Sequence, residues 1–314
     1  MKLAFILDPL DHLKAYKDSS VAMLREAAAS GHVLFALRQA DLILRDGQVI
    51  GYAKALQVHA DNKNWFTLGQ VEAMPLNQFD AVVMRKDPPF DTEYLYTTHL
   101  LDLAQSHGAR VFNRPAALRD FNEKLAIARF PQFTAPTLVT RRAFHLKAFL
   151  AEHGDVILKP LDGMGGAGIF RVRRDDANVN VIIETLTQLE TRTVMAQRYI
   201  PEIVHGDKRI LLIDGEPLPY ALARIPAEGE TRGNLAAGGR GVAQPLSARD
   251  LEIASTIGAA LRELGLFLVG LDVIGDYLTE INVTSPTGFV EITQQTGFNV
   301  AGAFVDALER KCAA

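Results

Sequence analysis

Apolar and polar residues alternate in blocks at the start of the chain, in the order expected for a strand, a helix and a second strand. The apolar run at residues 3–7 predicts a strand, and Val21, Leu24 and Ala28 recur at the spacing of one buried helix face. A second apolar run at residues 32–37 returns to a strand pattern. The chain therefore begins as a βαβ unit, which is typical of an α/β domain.

The same pattern continues to about residue 121, with one weakly periodic stretch. Asp46-Gly47 separates two strand-like runs and predicts a hairpin, whereas the middle of residues 41–78 fits no element. Beyond it the pattern predicts a buried strand, a helix and another strand, at residues 79–84, 93–106 and 110–113. We expect residues 1–121 to form a doubly wound α/β domain.

The middle of the chain, residues 122–200, predicts a small α+β unit. Its expected elements are a helical run, a short helix, two strands joined by a glycine-rich loop, a further helix and a strand, at residues 121–130, 145–153, 156–172, 181–188 and 194–200. Gly154 is expected to close the short helix, and Pro201 to end the last strand.

Residues 201–314 predict a third unit. Asp214-Gly215 lies between two strand-like runs and indicates a hairpin. Ser247 opens a capping box that closes at Asp250, and the helix that follows is expected to end at Gly265. A last helix is predicted from about residue 298.

Composition narrows the class of protein. The 314 residues are 48% hydrophobic and 22% charged, which is ordinary for a globular protein, and 33 basic against 37 acidic side chains argue against nucleic acid as the main partner. The sequence predicts neither a signal peptide nor a membrane span. Cys312 is the only cysteine, so we expect a reducing, cytoplasmic location.

The stretch VILKPLDGMGGAGIFRV at residues 156–172 carries the first candidate chemistry. Glycines permit positive φ angles and bring backbone N–H groups close to oxyanions, while Lys159 supplies a positive charge just before them. This is equipment for holding a polyphosphate. The spelling also matches G-x-G-x-x-G, but that dinucleotide fingerprint requires a helix directly after the glycines, where the pattern here predicts a strand. P-loop and protein-kinase motifs are absent, and a plain glycine hairpin is the remaining structural alternative.

A second candidate site lies in FLVGLDVIGDYLTEINV, residues 267–283. Glu280 and Asn282 are two apart on one predicted strand and share a face. Asp272 on the partner strand joins that face if the loop between the strands has three residues, 275–277, and we predict that loop. Two carboxylates and an amide oxygen suit Mg²⁺. The alternative for Glu280 and Asn282 is a solvated sheet face. Asp272 argues against it, because a carboxylate inside the apolar run VGLDVI is rarely left unpaired.

Two loops complete the candidate site. Arg85 follows a buried strand and begins the charged, proline-containing run RKDPPFD, at the strand end where open α/β sheets bind ligands. A surface ion pair with Asp87 or Asp91 would explain Arg85 equally well. Residues 226–241, PAEGETRGNLAAGGRG, here named the covering loop, have no periodicity and suit a mobile cover, with a disordered linker as the alternative.

Taken together these motifs resemble the ATP-grasp superfamily, and the segments between them resemble the bacterial glutathione synthetases. The resemblance rests on MRKDPPFDTEY, LKPLDGMGG, ARIPAEGETRGNLAAGGRG, VGLDVIG and TEINVTSPTG, at residues 84–94, 158–166, 223–241, 269–275 and 279–288. It implies an ATP-grasp fold made of an N-terminal α/β domain, a small lid domain and a C-terminal α+β domain. The implied activity is ATP- and Mg²⁺- or Mn²⁺-dependent ligation of γ-glutamylcysteine to glycine through an acyl phosphate. A cytoplasmic homotetramer is also implied.

The resemblance further implies roles for individual residues. Contacts to the nucleotide are implied for Lys124, Lys159, Asp162, Gly163, Met164, Gly165, Gly166, Gln197, Arg198, Tyr199, Ile200 and Asp207. The implied metal ligands are Asp272, Glu280 and Asn282. Substrate contacts are implied for Arg85, Arg224, Arg232, Asn234, Ser285, Pro286 and Thr287, and catalytic roles for Arg232, Arg224 and Lys159.

Three other functions remain open from the sequence. Another ATP-grasp ligase, joining a different acid and amine, would use the same nucleotide and metal groups. A nicotinamide-dependent oxidoreductase would need a helix at Ile169. A nucleotide-binding regulatory module without turnover would have no need of a complete metal face.

Overall fold

Three β-sheets form the framework of the protein. The computed structural model describes residues 1–230, 232, 233, 235 and 238–313. In the first sheet the strands are β1 Lys2–Ile6, β2 Val33–Leu37, β3 Leu42–Arg45, β4 Gln48–Val58, β5 Phe66–Pro75, β6 Ala81–Met84 and β7 Val111–Phe112. Their order is β3-β4-β2-β1-β6-β7, with β5 on the free edge of β4. Helices α1 Ser19–Ala29, α2 Thr92–Ser106 and α3 Pro115–Asp120 accompany this sheet.

The predicted βαβ start is present. The side chain of Asp18 caps α1 by accepting hydrogen bonds from the backbone N–H groups of Ser20 and Val21, at 2.7 and 3.0 Å. Strands β1 and β2 are parallel neighbours, and Val21 and Leu24 of α1 are fully buried. The predicted hairpin joins β3 and β4, with Asp46 and Gly47 at φ angles of 51° and 78°.

Strand β5 explains why the middle of residues 41–78 showed no clear pattern. Residues 67–73 of this strand are all exposed, so it has no buried face to impose an apolar–polar alternation. It pairs with β4 over residues 66–75.

The second sheet is antiparallel and carries the glycine-rich loop. Its strands are β8 Thr137–Thr140, β9 Asp155–Pro160, β10 Phe170–Arg173 and β11 Val194–Arg198, in the order β10-β9-β11-β8. Helices α4 Ala143–His153 and α5 Val179–Thr187 cover one face. Leu146, Leu150, Val156, Leu158 and Ile183 lie in their shared core.

The prediction of a helix over residues 121–130 is wrong. The structure has two short 3-10 segments there, Leu125–Arg129 and Pro131–Phe133. The backbone carbonyl of Glu123, which a helix would use internally, instead accepts the N–H of Ile281 at 2.8 Å. Pro131 cannot donate a backbone hydrogen bond, so an α-helix would lose contacts at both of its ends.

The third sheet is also antiparallel. Its strands are β12 Asp207–Ile213, β13 Glu216–Ile225, β14 Arg240–Pro245, β15 Leu268–Ile274 and β16 Tyr277–Asn282, in the order β14-β13-β12-β15-β16. Helices α6 Ala248–Glu263, α7 Phe289–Thr296 and α8 Val300–Ala313 belong to this part of the chain. Ser247 and Asp250 form the predicted capping box. Strand β14 takes the last two residues of the covering loop.

The turn between β15 and β16 differs from the prediction, although the pairing does not. Ile274 pairs with Tyr277, so the turn has two residues rather than the expected three. A β-bulge at Thr279 then inserts one residue into β16. Asp272 consequently lies opposite Glu280, as expected. The bulge shifts the pairing of the two strands by one residue, which is the shift that a three-residue turn would have produced.

The first and third sheets are joined by packing between helices, among them α1 against α8. Phe112 of β7, Phe267 before β15 and Phe304 of α8 stack edge to face at this junction. No helix among residues 1–230 and 238–313 is both long and apolar enough to span a membrane.

Candidate active site

A cleft of about 300 Å³ lies between the second and third sheets. The second sheet contributes the glycine loop, here residues 162–168, and the end of β11. The third sheet contributes one face of β12, β13, β15 and β16. The first unit contributes Asp87 and Pro88 to the cleft wall, and the segment after β16 contributes Ser285 and Thr287.

Two buried lysines reach this cleft from the side of the second sheet. Lys124 Nζ donates to Gly163 O at 2.5 Å and pairs with Glu280 Oε1 at 2.8 Å. Lys159 Nζ donates to the carbonyl oxygen of Thr279, the bulge residue, at 3.3 Å. Burial lowers the pKa of Lys159 to about 8, although the charge of Glu280 opposes that shift. Both ammonium groups therefore converge on β16.

The glycine loop is the turn of a hairpin. Strand β10 begins at Phe170 and pairs antiparallel with β9, so no helix starts at Ile169. Gly165, Gly166 and Gly168 have φ angles of 62°, 83° and 70°, which non-glycine residues rarely adopt. The dinucleotide fingerprint is thus excluded, because its pyrophosphate needs a helix N-terminus at this point.

Asp272, Glu280 and Asn282, here named the donor face, share one face of the third sheet. Asp272 pairs across the strands with Glu280, and Gly270 with Asn282. The Nδ2 group of Asn282 donates to Gly270 O at 3.2 Å, whereas its Oδ1 has no hydrogen-bond partner among the described residues. A Cβ atom on Gly270 would lie 2.7 Å from Arg209 Cδ, so glycine is required for this packing.

Two arginines hold Asp272. Arg209 donates through Nε and Nη2 to its two carboxylate oxygens at 2.5 and 3.0 Å, and Arg224 Nη2 lies 2.9 Å from Oδ2. Burial would raise the pKa of Asp272, but the two guanidinium charges outweigh burial and hold this pKa far below its usual range. Asp272 is therefore a permanent anion, and Arg224, between two carboxylates, has a raised pKa.

Asp207 shares this cluster and has one free oxygen. Its Oδ2 accepts from Arg224 Nη2 at 2.5 Å, whereas its buried Oδ1 has no hydrogen-bond partner among the described residues. Burial raises the pKa of Asp207 to about 6 despite the neighbouring charge of Arg224. A buried acceptor in this state can receive a hydrogen bond from a bound hydroxyl.

Arg209 and Glu123 line the cleft and were missed by sequence analysis. Arg209 could have been found, since it stands two residues after Asp207 on a strand and must share its face. It is also the cross-strand partner of Asp272. Glu123 gave no comparable indication, because its contacts depend on a distant strand.

Arg85 is buried, so the surface ion pair considered for it is wrong. Its Nε donates to Ser20 Oγ at 3.1 Å and its Nη2 to Pro286 O at 3.0 Å. Burial lowers the pKa of its guanidinium. Nη1 is buried without a hydrogen-bond partner among the described residues, so Arg85 retains one free donor group.

Four predicted site residues lie differently from the others. Arg85, described above, does not line the cleft. Asp162 is half-exposed, pairs with Arg192 at 2.6 Å and is not part of the cleft wall. Pro286 contributes only its carbonyl, to Arg85, and does not line the cleft. Asn234 lies outside the described residues.

The covering loop touches the glycine loop through Arg232. Its Nη1 donates to Gly166 O at 3.4 Å, and its Nη2 pairs with Glu230 at 2.6 Å. Arg232 is partly exposed and lines the cleft together with Gly233 and Leu235.

The end of β11 forms the remaining wall, with Gln197, Arg198, Tyr199 and Ile200. Gln197 Nε2 donates to Thr137 Oγ1 at 3.1 Å, and the guanidinium of Arg171 lies 3.6 Å from the ring centroid of Tyr199. This side of the cleft therefore combines an aliphatic side chain, an aromatic ring and one guanidinium group, that of Arg198.

Comparison with known proteins identifies relatives over the full chain. The family model described as "Prokaryotic glutathione synthetase, N-terminal domain" matches residues 1–119, and "Prokaryotic glutathione synthetase, ATP-grasp domain" matches residues 123–297. The glutathione synthetase of Nitrosomonas europaea is 63% identical over 317 residues, covering 100% of this chain and 99% of the relative. That of Pseudomonas aeruginosa is 55% identical over 314 residues, with 100% and 99% covered.

Solved structures share the fold at low sequence identity. D-cycloserine synthetase DcsG has a TM-score of 0.71 at 17% identity, over 99% of this chain and 100% of that one. ATP-grasp ligase PsnB, complexed with a minimal precursor, Mg and ADP, has a TM-score of 0.63 at 18% identity, over 99% and 98%. These likenesses establish the ATP-grasp fold.

Proposed function

The chain belongs to the prokaryotic glutathione synthetase family, and from this membership and the cleft geometry we propose that it joins γ-L-glutamyl-L-cysteine to glycine at the expense of ATP. The products are glutathione, ADP and phosphate. The protein is an ATP-dependent carboxylate–amine ligase with the ATP-grasp fold.

One observation carries the mechanism. Lys159 enters the cleft from the second sheet and Lys124 from the turn at residues 122–124, while Asp272, Glu280 and Asn282 belong to the third sheet. All five line the same cavity. A single triphosphate with its cation would bridge them. A polyphosphate and its cation bind where positively charged side chains and oxygen donors line one cavity.

The reaction is expected in two steps. The carboxylate of the dipeptide attacks the γ-phosphorus of ATP, forming an acyl phosphate and releasing ADP. The amine nitrogen of glycine then attacks the acyl carbon, loses a proton, and inorganic phosphate leaves. Lys124 and Lys159 neutralise charge on the transferring phosphoryl group, and Lys159 is the member of this pair assigned a catalytic role.

The donor face fits a hard divalent cation, Mg²⁺ or Mn²⁺. Glu280 and the free Oδ1 of Asn282 are oxygen donors beside the cleft, and Asp272 adds a permanent negative charge. Among the described residues no group of three or more His, Cys, Asp or Glu side chains has a metal-binding arrangement. When bound, the cation would offset charge on the phosphates. Because Arg209 and Arg224 occupy the oxygens of Asp272, we expect Glu280 and Asn282 to be the principal protein ligands.

The nucleotide base is assigned to the end of β11. Residues 197–200 offer backbone groups and the Tyr199 ring. Contacts to the phosphates are assigned to Gly163, Met164, Gly165 and Gly166, which also line the cleft. The free Oδ1 of Asp207 suits a nucleotide hydroxyl. Asp162, tied to Arg192 outside the cleft wall, supports the loop rather than the nucleotide.

The dipeptide and glycine are assigned to the end of the cleft near Arg85, Ser285 and Thr287. Arg85 offers a free donor to a substrate carboxylate, and its bond to Pro286 O fixes the turn that carries Ser285. Arg232 is the oxyanion donor we favour, because it lines the cleft and contacts Gly166 O of the glycine loop. Arg224 acts mainly by holding Asp207 and Asp272. Asn234, on the same loop as Arg232, is retained as a substrate contact from family membership.

The covering loop would protect the acyl phosphate from water. Hydrolysis competes with the amine at this intermediate, and a closed site suppresses it. The contact of Arg232 with Gly166 O already joins the two loops that would close together.

Assembly, location and domain division are part of the same proposal. The three sheets support units at residues 1–121, 122–200 and 201–314, because each sheet lies within one of them. Family membership supports a homotetramer in the cytoplasm. We propose no nucleic-acid or membrane partner, since the net charge is −4.

The decisive test is ADP release measured over a panel of acids and amines. γ-Glutamylcysteine with glycine should give rapid release, while either substrate alone, or γ-glutamylcysteine with alanine or serine, should give little. Equal or faster release with another acid–amine pair would instead identify an ATP-grasp ligase of different specificity.

A further inference from the structure

A turn of three residues, Asn122, Glu123 and Lys124, connects both sides of the cleft; we name it the 122–124 turn. On one side Asn122 Nδ2 donates to Leu161 O at 3.1 Å, and Lys124 Nζ donates to Gly163 O at 2.5 Å. These contacts fix the turn to the segment that begins the glycine loop. On the other side the turn is bonded to β16 and the residues that follow it.

Glu123 makes most of the contacts on that second side. Its backbone oxygen accepts the N–H of Ile281 at 2.8 Å. Its Oε1 atom accepts from the backbone N–H groups of Val283 and Thr284 at 2.8 and 3.0 Å, and from the Thr284 hydroxyl at 2.9 Å. Four hydrogen bonds thus run from one residue to positions 281–284.

The position of β16 explains why these bonds matter. It is the last strand of its sheet, so one of its edges has no neighbouring strand to pair with. Unpaired edge N–H groups are costly when buried, and Val283 and Thr284 are both buried. Glu123 provides the acceptors that a further strand would otherwise provide.

The same strand carries the donor face. Glu280 and Asn282 alternate with Ile281, whose N–H is held by Glu123. Any shift of residues 281–284 would carry Asn282 with it and would move Glu280 relative to Lys124, its ion-pair partner at 2.8 Å. The backbone oxygen and the carboxylate of Glu123 together therefore constrain the position of the donor face.

We propose that Glu123 is a positioning residue that sets the donor face relative to Lys124 and the glycine loop, acting through its hydrogen bonds to residues 281–284. The inference rests on the proposed function for the role of that face. It assigns no direct contact between Glu123 and the reacting atoms.

The first test is amide hydrogen exchange on the nucleotide-free protein. In Glu123→Ala the N–H groups of Val283 and Thr284 lose their acceptor, and we expect them to exchange at least tenfold faster, with little change in the first sheet. Glu123→Gln keeps an acceptor oxygen and should stay within about threefold of the wild type. Thr284→Val, which removes only the hydroxyl contact, should give a smaller change in the same direction as Glu123→Ala.

The second test is the affinity for MgADP, measured by titration calorimetry. Glu123→Ala should bind about tenfold more weakly, because Lys124 and the donor face no longer hold their mutual position, and Glu123→Gln should recover most of this loss. Glu216→Ala is the matched control, since Glu216 is an exposed glutamate that pairs with Arg262 far from the cleft. It should change neither measurement.

Three results would overturn the proposal: unchanged exchange at residues 283–284 in Glu123→Ala, exchange that accelerates equally in all three sheets, or a Glu123→Gln variant as impaired as Glu123→Ala. If Glu123→Ala does not fold, Thr284→Val and Glu123→Gln decide by the same criteria. Failure of the proposed function is seen separately, as ADP release with a different acid–amine pair while exchange and MgADP binding still respond as stated.

Discussion

Four buried charged side chains form the electrostatic centre of the cleft. Asp207 and Arg209 alternate on β12, and each has a partner across the sheet, Arg224 and Asp272 respectively. The two positive and two negative charges cancel inside the cluster. The free-energy cost of burying them is therefore offset only while all four are present. Within the cluster Asp272 is held as an anion, and Asp207 keeps one carboxylate oxygen without a hydrogen-bond partner among the described residues.

Replacement of Asp272 by asparagine tests this dependence. Arg209 would lose its carboxylate partner, and breaking a buried pair costs roughly 3–5 kcal/mol. We expect Asp272→Asn to lower the free energy of unfolding in urea by about 3 kcal/mol. It should also raise the Mg²⁺ concentration needed for half-maximal activity, because a permanent anion is removed from the donor face.

Glu216→Gln serves as the control for that experiment. It removes a charge from an exposed pair with Arg262, and such pairs contribute about 0–1 kcal/mol. Equal stability of Asp272→Asn and Glu216→Gln, with an unshifted Mg²⁺ titration, would show that Asp272 is neither structurally nor functionally important.

The pKa of Lys159 predicts a pH dependence of nucleotide binding. Burial lowers it to about 8 in the free protein, so the ammonium is lost as the pH rises through 8. Affinity for MgADP should therefore fall between pH 7 and 9. Lys159→Arg keeps its charge to above pH 12, so its affinity, although lower at pH 7, should stay flat over this range.

The same shift has an opposite effect on stability. An unfolded chain keeps the lysine proton up to about pH 10.4, so between pH 8 and 10 it binds more protons than the folded one. The contribution of Lys159 to the free energy of unfolding therefore rises with pH, over the same range in which the affinity for MgADP falls. An affinity for MgADP that falls equally in the wild type and in Lys159→Arg would assign the titration to another group.

Strands and loops show how far the sequence determines this site. The alternation of Glu280 and Asn282 was sufficient to place both on one face. The position of Asp272 opposite Glu280 was predicted correctly, but through a three-residue turn that the structure does not have. The β-bulge that aligns these side chains was not predictable, because the residue types around Thr279 do not mark a bulge. Its carbonyl also receives Lys159, a contact between residues far apart in sequence.

Segments whose structure depends on distant partners were the ones that pattern analysis misplaced. Residues 121–130 have an apolar, helix-like pattern, yet Glu123 O is bonded to Ile281 and the α-helix does not form. Strand β5 is exposed along most of its length and shows no alternation. By contrast α1, α6 and the hairpins at Asp46-Gly47 and Asp214-Gly215 were predictable, since their caps and turns are set by neighbouring residues.

The position of Arg232 in the covering loop predicts that this residue affects how much of the ATP consumed leads to ligation. Arg232→Ala removes a charge that contacts Gly166 O but no described part of the nucleotide wall on β11. Turnover should fall by about 10²–10³, as for loss of an oxyanion donor, whereas MgATP affinity should change less than threefold. ADP release without glutathione formation should become a larger fraction of the total.

Arg240 offers a matched control within the same loop. It is exposed, begins β14 and does not line the cleft. Arg240→Ala should leave turnover and the ratio of ADP to glutathione unchanged. Wild-type turnover in Arg232→Ala would remove Arg232 from the site.

The arrangement of the three sheets determines what a bound nucleotide does to the protein. Its phosphates would contact Lys159 of the second sheet and the donor face of the third, two units joined directly by the 122–124 turn and by the chain after β11. No property of either unit alone predicts that their charged faces oppose each other. That arrangement is a consequence of tertiary packing.

A ligand that bridges two units should stabilise both of them together. At a concentration one hundred times its dissociation constant, MgADP adds about 2.7 kcal/mol to the folded state. We expect a higher midpoint of thermal unfolding and slower hydrogen exchange in residues 162–168 and in β16 alike. Lys159→Met, which removes the phosphate contact of the second sheet, should lose the protection in residues 162–168 and most of the midpoint shift. Lys147→Met, an exposed lysine on α4, should behave as the wild type. Protection confined to one sheet, or equal protection in Lys159→Met, would show that no nucleotide spans the cleft.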